Sequence, residues 1–324
     1  MMLLFKLLAG AALAVVVILA AMIAFGTSDP PPSLTSISDP FRNIDFSDLP
    51  PIETTPARKG SPIAFRAYVG GKAQAEPERV VIAIHGSSAT STSLHALGKA
   101  LRAEGMSVYV PDIRGHGATG RRGDIDYAGQ LDDDLADLVA LVRTRHPSAR
   151  PVLLGLSSGG GYALHAAAAL GPLFDRTILL APMLGPRAPT VPTAVYTWAR
   201  PFVPRIIALS VVGRLGIHAF DHLPALAFAI APGNPAGLTG VYSFRLMQAF
   251  GTSDYAADLR TAPRPIAVIV GENDQLFLAK MFAPTVQGVR PDAAVTVLPG
   301  LAHIEVSTDP SAIPTIVAAI RGTP

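Results

Sequence analysis

Ser157 lies in Gly155-Leu156-Ser157-Ser158-Gly159, directly after one apolar run and directly before an Ala-rich helical stretch. In a strand–turn–helix setting, a Gly-x-Ser-x-Gly pattern holds the serine on a strained turn with its hydroxyl free to react. Small flanking residues relieve the crowding, and Gly160 and Gly161 let the following helix approach the sheet closely. The chemistry open to such a serine is attack on a carbonyl carbon. A hydroxyl is a weak nucleophile at its free pKa, so it requires a base, and the base requires an orienting acid.

Position selects the base from eight histidines. His85, His95 and His116 precede the nucleophile, His146 ends a helical pattern, and His165 lies inside the helix after Ser157. His218 and His222 fall in a segment without strand signals. Only His303, within Pro299-Gly300-Leu301-Ala302-His303, follows a strand pattern near the C-terminus. For the acid, Gly271-Glu272-Asn273-Asp274 follows the apolar run 266–270. Asp274 is expected to orient His303, with Glu272 as the neighbouring decoy; the run 177–181 ends without a carboxylate. A tetrahedral intermediate also needs its oxyanion held, and a backbone N–H there contributes about 3–4 kcal/mol. The Ser158 amide is one expected donor. The Ser87 amide, in His85-Gly86-Ser87-Ser88 after an earlier run, is the other, with the His85 side chain structural.

The elements that must position these residues alternate. Apolar runs at 80–84, 107–111, 152–155, 177–181, 266–270 and 294–298 read as buried strands. Between them, Leu94, Leu97 and Leu101, then Leu131, Leu135, Leu138 and Val142, repeat at helical spacing. Strands alternating with helices imply a mostly parallel, doubly wound α/β sheet. Residues 63–68 alternate in polarity and are expected at an antiparallel edge, and 310–320 as a terminal helix capped by Asp309. From Pro182 to about Tyr255 the alternation stops, and Pro-punctuated apolar pieces such as 206–215 and 223–230 read as an inserted helical cap. Phe202, Val203, Ile206, Ile207, Leu209 and Val211 are among its crowded apolar residues, which either suit a hydrophobic substrate, pack the cap onto the main domain, or touch the bilayer beside the anchor.

The chain begins with an apolar stretch over 7–25 that is long enough as a helix to cross a hydrocarbon core of about 30 Å. It is longer than the usual signal-peptide core of about 7–15 residues, which favours an uncleaved anchor over a cleaved leader and a secreted or periplasmic product. Lys6 before it and Asp29 after it place the N-terminus in the cytoplasm and the main domain on the extracytoplasmic side. The expected organisation is an anchor over 1–26 and a Pro-rich linker over 27–56, from which Phe41, Ile44 and Phe46 dock on the main domain. The α/β core follows over 57–184, then the cap over 185–255 and the rest of the core over 256–324.

From about residue 61 to 321 the chain resembles the α/β-hydrolase superfamily, and within it the lysophospholipase and monoacylglycerol-lipase-like branch. The matching features are His85-Gly86, Asp112-Ile113-Arg114-Gly115-His116-Gly117, the Ser157 turn, the 271–274 turn and His303. The order Ser157, Asp274, His303 is that of the superfamily. The resemblance implies an α/β-hydrolase fold and a serine hydrolase that cleaves carboxylic esters through an acyl-enzyme, with a small-molecule ester or lipid as substrate. It implies a structural role for Asp112 and His116. Acyl transfer, thioester hydrolysis and C–C hydrolysis use the same triad, and a non-catalytic hydrolase-like binding protein is the alternative of another class. Aspartate-nucleophile relatives are disfavoured, because a serine occupies the turn.

Composition excludes other classes. The net charge is +2 over 324 residues with no dense basic stripe, which argues against nucleic acid. Cysteine is absent, so there is no disulfide framework and no thiolate chemistry. No His-Glu-x-x-His or P-loop pattern occurs, and the expected triad needs no cofactor or metal.

Overall fold

The inner runs that read as strands pair into one sheet because each is apolar on both faces and must be covered on both. The computed structural model describes residues 1–26, 29–70, 77–192, 198–230, 237–263 and 265–322. Along the chain it has α1 (Met2–Phe25), α2 (Thr35–Ser38), β1 (Ile52–Thr55), β2 (Ile63–Tyr68) and β3 (Arg79–Ile84). Then come α3 (His95–Ala103), β4 (Ser107–Pro111), α4 (Gln130–Arg145), β5 (Arg150–Leu156), α5 (Ser158–Ala169) and β6 (Arg176–Leu180). The inserted segment holds β7 (Ala199–Pro201), α6 (Val203–Gly213), β8 (Pro224–Phe228), β9 (Val241–Ser243) and α7 (Phe244–Ala249). The chain closes with α8 (Tyr255–Thr261), β10 (Ile266–Gly271), α9 (Ala279–Gln287), β11 (Ala294–Leu298), α10 (Glu305–Thr308) and α11 (Ile313–Arg321).

The main sheet runs β1-β2-β4-β3-β5-β6-β10-β11. From β4 to β11 every pairing is parallel, and β2 joins β4 antiparallel. Side chains of β3 alternate: Val80, Ile82 and Ile84 pack with the α4 and α5 side, and Val81 and Ala83 pack with Leu94, Leu97, Leu101 and Ile316 on the other. Each such apolar side chain, fully buried, stabilises the fold by about 1.5–3 kcal/mol. The strands β5, β10 and β11 therefore end on the same edge of the sheet, and the loops after them carry Ser157, Asp274 and His303.

The linker, expected to dock through Phe41, Ile44 and Phe46, also pairs with the sheet. Its end, Ile52–Thr55, is the edge strand, paired antiparallel with β2, and Phe46 stacks on His95 with ring centres 5.6 Å apart. A cavity of about 680 Å³ lined by Pro40, Ile44, His95, Lys99 and Glu305 lies along this docked stretch and includes none of the triad residues. Two expectations about the inserted segment need correction. It is mixed rather than helical: β7, β8 and β9 form a separate three-stranded antiparallel sheet. The piece 223–230, read as helix, contains β8, because a short apolar run is decided by its pairing partners and not by its own periodicity. The apolar residues of the cap also divide. Phe202, Ala208 and Leu209 are buried, whereas Val203, Ile207, Val211 and Leu215 face outward.

Candidate active site

Ser157 occupies the turn between β5 and α5 with φ 56° and ψ −120°, a region L-residues rarely adopt. Glycines make the turn sterically feasible. A Cβ on Gly155 would lie 2.1 Å from the Gly159 carbonyl oxygen, and one on Gly159 would lie 2.2 Å from that of His85. The turn is tied on both sides: the Ser157 N–H donates to Leu180 O at 2.9 Å, and its carbonyl accepts from Gly161 and Met183. Ser158 opens α5, where a helix leaves its first N–H groups without intrahelical partners.

Asp274 and His303 form a buried pair. His303 Nδ1 donates to Asp274 Oδ2 at 2.7 Å, while Asp274 Oδ1 accepts from the amides of Leu276 and Phe277, both at 2.8 Å. With one carboxylate oxygen tied to backbone, the other is aimed at the imidazole, and the Nδ1 proton is assigned by that bond. His303 Nε2 is buried and has no hydrogen-bond partner among the described residues. The ring is braced edge-on by Phe277 at 5.1 Å, and the His303 amide donates to Gln275 Oε1. Glu272 is turned elsewhere: its Oε2 accepts from the Gly300 amide at 3.0 Å and shapes the turn that leads to His303.

The loop after β3 stands against the serine, since a Cβ on Gly86 would lie 3.4 Å from Ser157 Cβ. Ser88 in this loop has φ 65°. Among the described residues only Ser88, Ser157 and Ala181 are non-glycine with positive φ, and each lies where a strand leaves the same sheet edge. Backbone strain concentrated this way persists only where surrounding contacts over-determine it.

A turn strained at the serine, a buried acid–histidine pair with its far nitrogen unpaired, and an adjoining backbone loop thus gather at one edge of the sheet. Residues 75–310 match Hydrolase_4, described as serine aminopeptidase, S33. The chain belongs to the Hydrolase_4 family. A monoacylglycerol lipase of Mycolicibacterium smegmatis is 32% identical over 87 residues, which cover 26% of this chain and only 31% of that protein. Among solved structures, the monoglyceride lipase of Saccharomyces cerevisiae superimposes with a TM-score of 0.66 at 17% identity, covering 86% of this chain and 96% of that one. The monoacylglycerol lipase of Paleococcus ferrophilus gives 0.58 at 17% identity, covering 81% and 98%. At such identity the two structures show the α/β-hydrolase fold.

The fold brings Asp274 and His303, the acid and base expected from the sequence, into direct contact. It also holds Asp112 and His116 in scaffold roles. Asp112 accepts from the amides of Ser91 and Ala118, and His116 Nδ1 bonds to Ile113 O. Burial pushes the pKa of both His85 and His116 down, which keeps the two rings neutral.

Sequence reasoning missed the residues that hold the 86–88 loop. Trp198 Nε1 donates to Ser87 Oγ at 2.8 Å, and the Thr239 amide donates to Ser88 O at 2.8 Å. The Tyr242 hydroxyl accepts from the Ser88 amide at 2.6 Å and bonds to His116 Nε2 at 2.5 Å. All three belong to the cap segment. The Tyr242→Phe substitution keeps the ring packed on Phe228 but leaves the buried Ser88 N–H unpaired. The expected loss is about 1–3 kcal/mol of stability in a urea titration, with a lowered kcat. An unchanged midpoint and rate would show that the phenol does not hold the loop.

Proposed function

We propose that this protein is a membrane-anchored serine ester hydrolase acting on a hydrophobic, monoacylglycerol-like ester. Ser157 Oγ attacks the ester carbonyl as His303 Nε2 takes its proton. Asp274 holds the imidazole in the required tautomer and stabilises the imidazolium. The amides of Ser87 and Ser158 receive the oxyanion. Collapse of the intermediate expels the alcohol, which takes the proton from His303. A water deprotonated by His303 then releases the acid and restores Ser157.

The observation that carries the reading is the buried Asp274–His303 pair with Nε2 left without a partner, on the same sheet edge as a strained serine turn. The substrate class is supported by the aromatic set Trp198, Phe228, Tyr242 and Phe250 close to the Ser87–Ser88 loop, and by the lipase names of the relatives. The membrane reading rests on α1, an apolar helix whose first seventeen residues, 2–18, all stand exposed, and Lys6 near its start favours a cytoplasmic N-terminus.

A fluorophosphonate probe tests the nucleophile, and a p-nitrophenyl ester series from acetate to dodecanoate tests the substrate. Each buried methylene contributes about 0.8 kcal/mol, so kcat/KM is expected to rise up to about fourfold per carbon until the pocket is filled. A steady fall from acetate onward would remove the lipid-like reading. Absence of probe labelling, with cleavage of an aminoacyl p-nitroanilide but no ester, would remove ester hydrolysis altogether.

A further inference from the structure

Helix α6 is apolar apart from Arg205 and Ser210, although only one side is covered. Toward the protein, Ala208 and Leu209 pack with Ala225 and Phe244. Toward solvent, Val203, Ile207 and Val211 recur at every fourth position of the helix, 46%, 50% and 39% exposed, and Leu215, 73% exposed, follows in the turn just past its end. Residues spaced by four form one stripe on a helix. A stripe of that kind in water calls for an apolar partner.

The partner is indicated by what α6 already touches. The end of α1 docks on it, with Ile23 buried among Ala208 and Leu209 and with Leu19 and Met22 beside them. Arg205, buried on the inner side of α6, makes this joint specific. Its Nε donates to Ile23 O at 2.8 Å, and its two other nitrogens donate to Pro224 O and Ala24 O. These carbonyls include the ones an α-helix leaves unpaired at its C-terminus. Arg200 adds a bond to Asp29 O just beyond. Removal of α1 as a leader peptide would take the Ile23 and Ala24 carbonyls from Arg205 and leave it only Pro224 O, so the joint as it stands needs both elements retained.

The depth also fits. At about 1.5 Å per residue α1 spans about 36 Å, enough to cross a hydrocarbon core of about 30 Å. Only residues 19–25, about its last 10 Å, carry the contact with α6. That is the depth at which interfacial helices bury their apolar faces, about 5–10 Å. The eleven residues of α6 span only about 16 Å, too short to cross but long enough to lie flat.

We propose that α1 and α6 form one membrane-bound unit locked through Arg205, with the Val203–Ile207–Val211–Leu215 stripe lying in the lipid interface at the exit of the span. The occupant is the bilayer. From Trp198, bonded to Ser87, to Val203 is at most about 17 Å of extended chain, so the unit holds the candidate site close to the membrane surface. The functional consequence rests on the ester-hydrolase reading, whereas the docking itself does not.

The chain has no cysteine, so single cysteines at Ile207, Leu215 and, as control, the exposed Thr144 on α4 give clean labelling sites. The full chain, labelled with an environment-sensitive fluorophore, is reconstituted in phosphatidylcholine–phosphatidylglycerol vesicles containing nitroxide lipids. Labels at 207 and 215 are expected to be quenched by the lipid nitroxide and protected from aqueous iodide, and the label at 144 the reverse. Iodide quenching at 207 equal to that at 144 overturns the proposal. Protection from both quenchers also overturns it, because a second copy of the chain then covers the stripe. Arg205→Gln, checked for an intact cap by unchanged cleavage of p-nitrophenyl butyrate, is expected to lose about half the lipid quenching at 207, and full retention removes Arg205 from the lock. Placing glutamates at Ile207 and Val211 is expected to slow hydrolysis of a vesicle-borne monoacyl ester about tenfold and leave cleavage of soluble p-nitrophenyl butyrate unchanged. An unchanged vesicle rate overturns the functional consequence. If the unaltered chain cleaves neither ester, the hydrolase reading fails while the quenching pattern still decides the docking.

Discussion

The Ser157→Ala protein is expected to fold normally and to lose ester hydrolysis by about 10³-fold or more. The fold is insensitive to the hydroxyl because the turn is held by its backbone: Ser157 N–H to Leu180 O, and Gly161 and Met183 amides to Ser157 O. Alanine meets the same positive φ as serine, so the strain is unchanged and the melting temperature stays close to that of the parent. Ser157→Gly separates the two roles of the position. It removes the same hydroxyl but accepts a φ of 56° without the Cβ penalty, so it is expected to be as inactive as the alanine variant and more stable. Near-parental turnover in either variant would remove Ser157 as nucleophile. A glycine variant less stable than the alanine one would show that the turn is not strained by the side chain it carries.

How much was legible depends on the distance over which each feature is decided. The inner strands of the main sheet were readable because they are buried on both faces, so composition alone marks them: β4 coincides with the run 107–111. The serine turn was readable because its requirement for small residues is local, at Gly155, Gly159, Gly160 and Gly161. The Asp274–His303 pair was readable because both follow strands that must end on one edge of a parallel sheet. The cap was not readable in the same way. Residues 224–228 carry no period that separates strand from helix, and pairing with β7 and β9 decides the matter. Trp198 and Tyr242 meet the Ser87–Ser88 loop across 111 and 154 residues, and no local pattern announces such contacts. Arg205 looks from the sequence like a polar break in an apolar helix. Its burial follows from carbonyls that α1 supplies more than 180 residues away.

Asp274→Asn is expected to lower kcat by about 10⁴-fold while Glu272→Gln stays within about twofold of the parent. The asymmetry follows from what each carboxylate touches. In Asp274, Oδ1 is fixed as an acceptor by the amides of Leu276 and Phe277, so an asparagine must place its oxygen there. Its NH₂ then faces His303 Nδ1, where the carboxylate oxygen had accepted at 2.7 Å. Two donors cannot share that position, so the imidazole shifts its proton to Nε2 to present a lone pair at Nδ1. The nitrogen that is unpaired in the structure, and that is proposed to take the Ser157 proton, is then already protonated. Geometry survives, and basicity at the reacting nitrogen does not. Glu272 makes one bond, accepting from the Gly300 amide on the exposed side of the turn, and a glutamine oxygen accepts it equally well. The comparison uses kcat for a short soluble ester, so that neither the cap nor a membrane enters the measurement. A Glu272→Gln loss larger than that of Asp274→Asn would transfer the acid's role to Glu272. Equal, small losses in both would mean that His303 works without an orienting anion, which its buried hydrogen bond to Asp274 argues against.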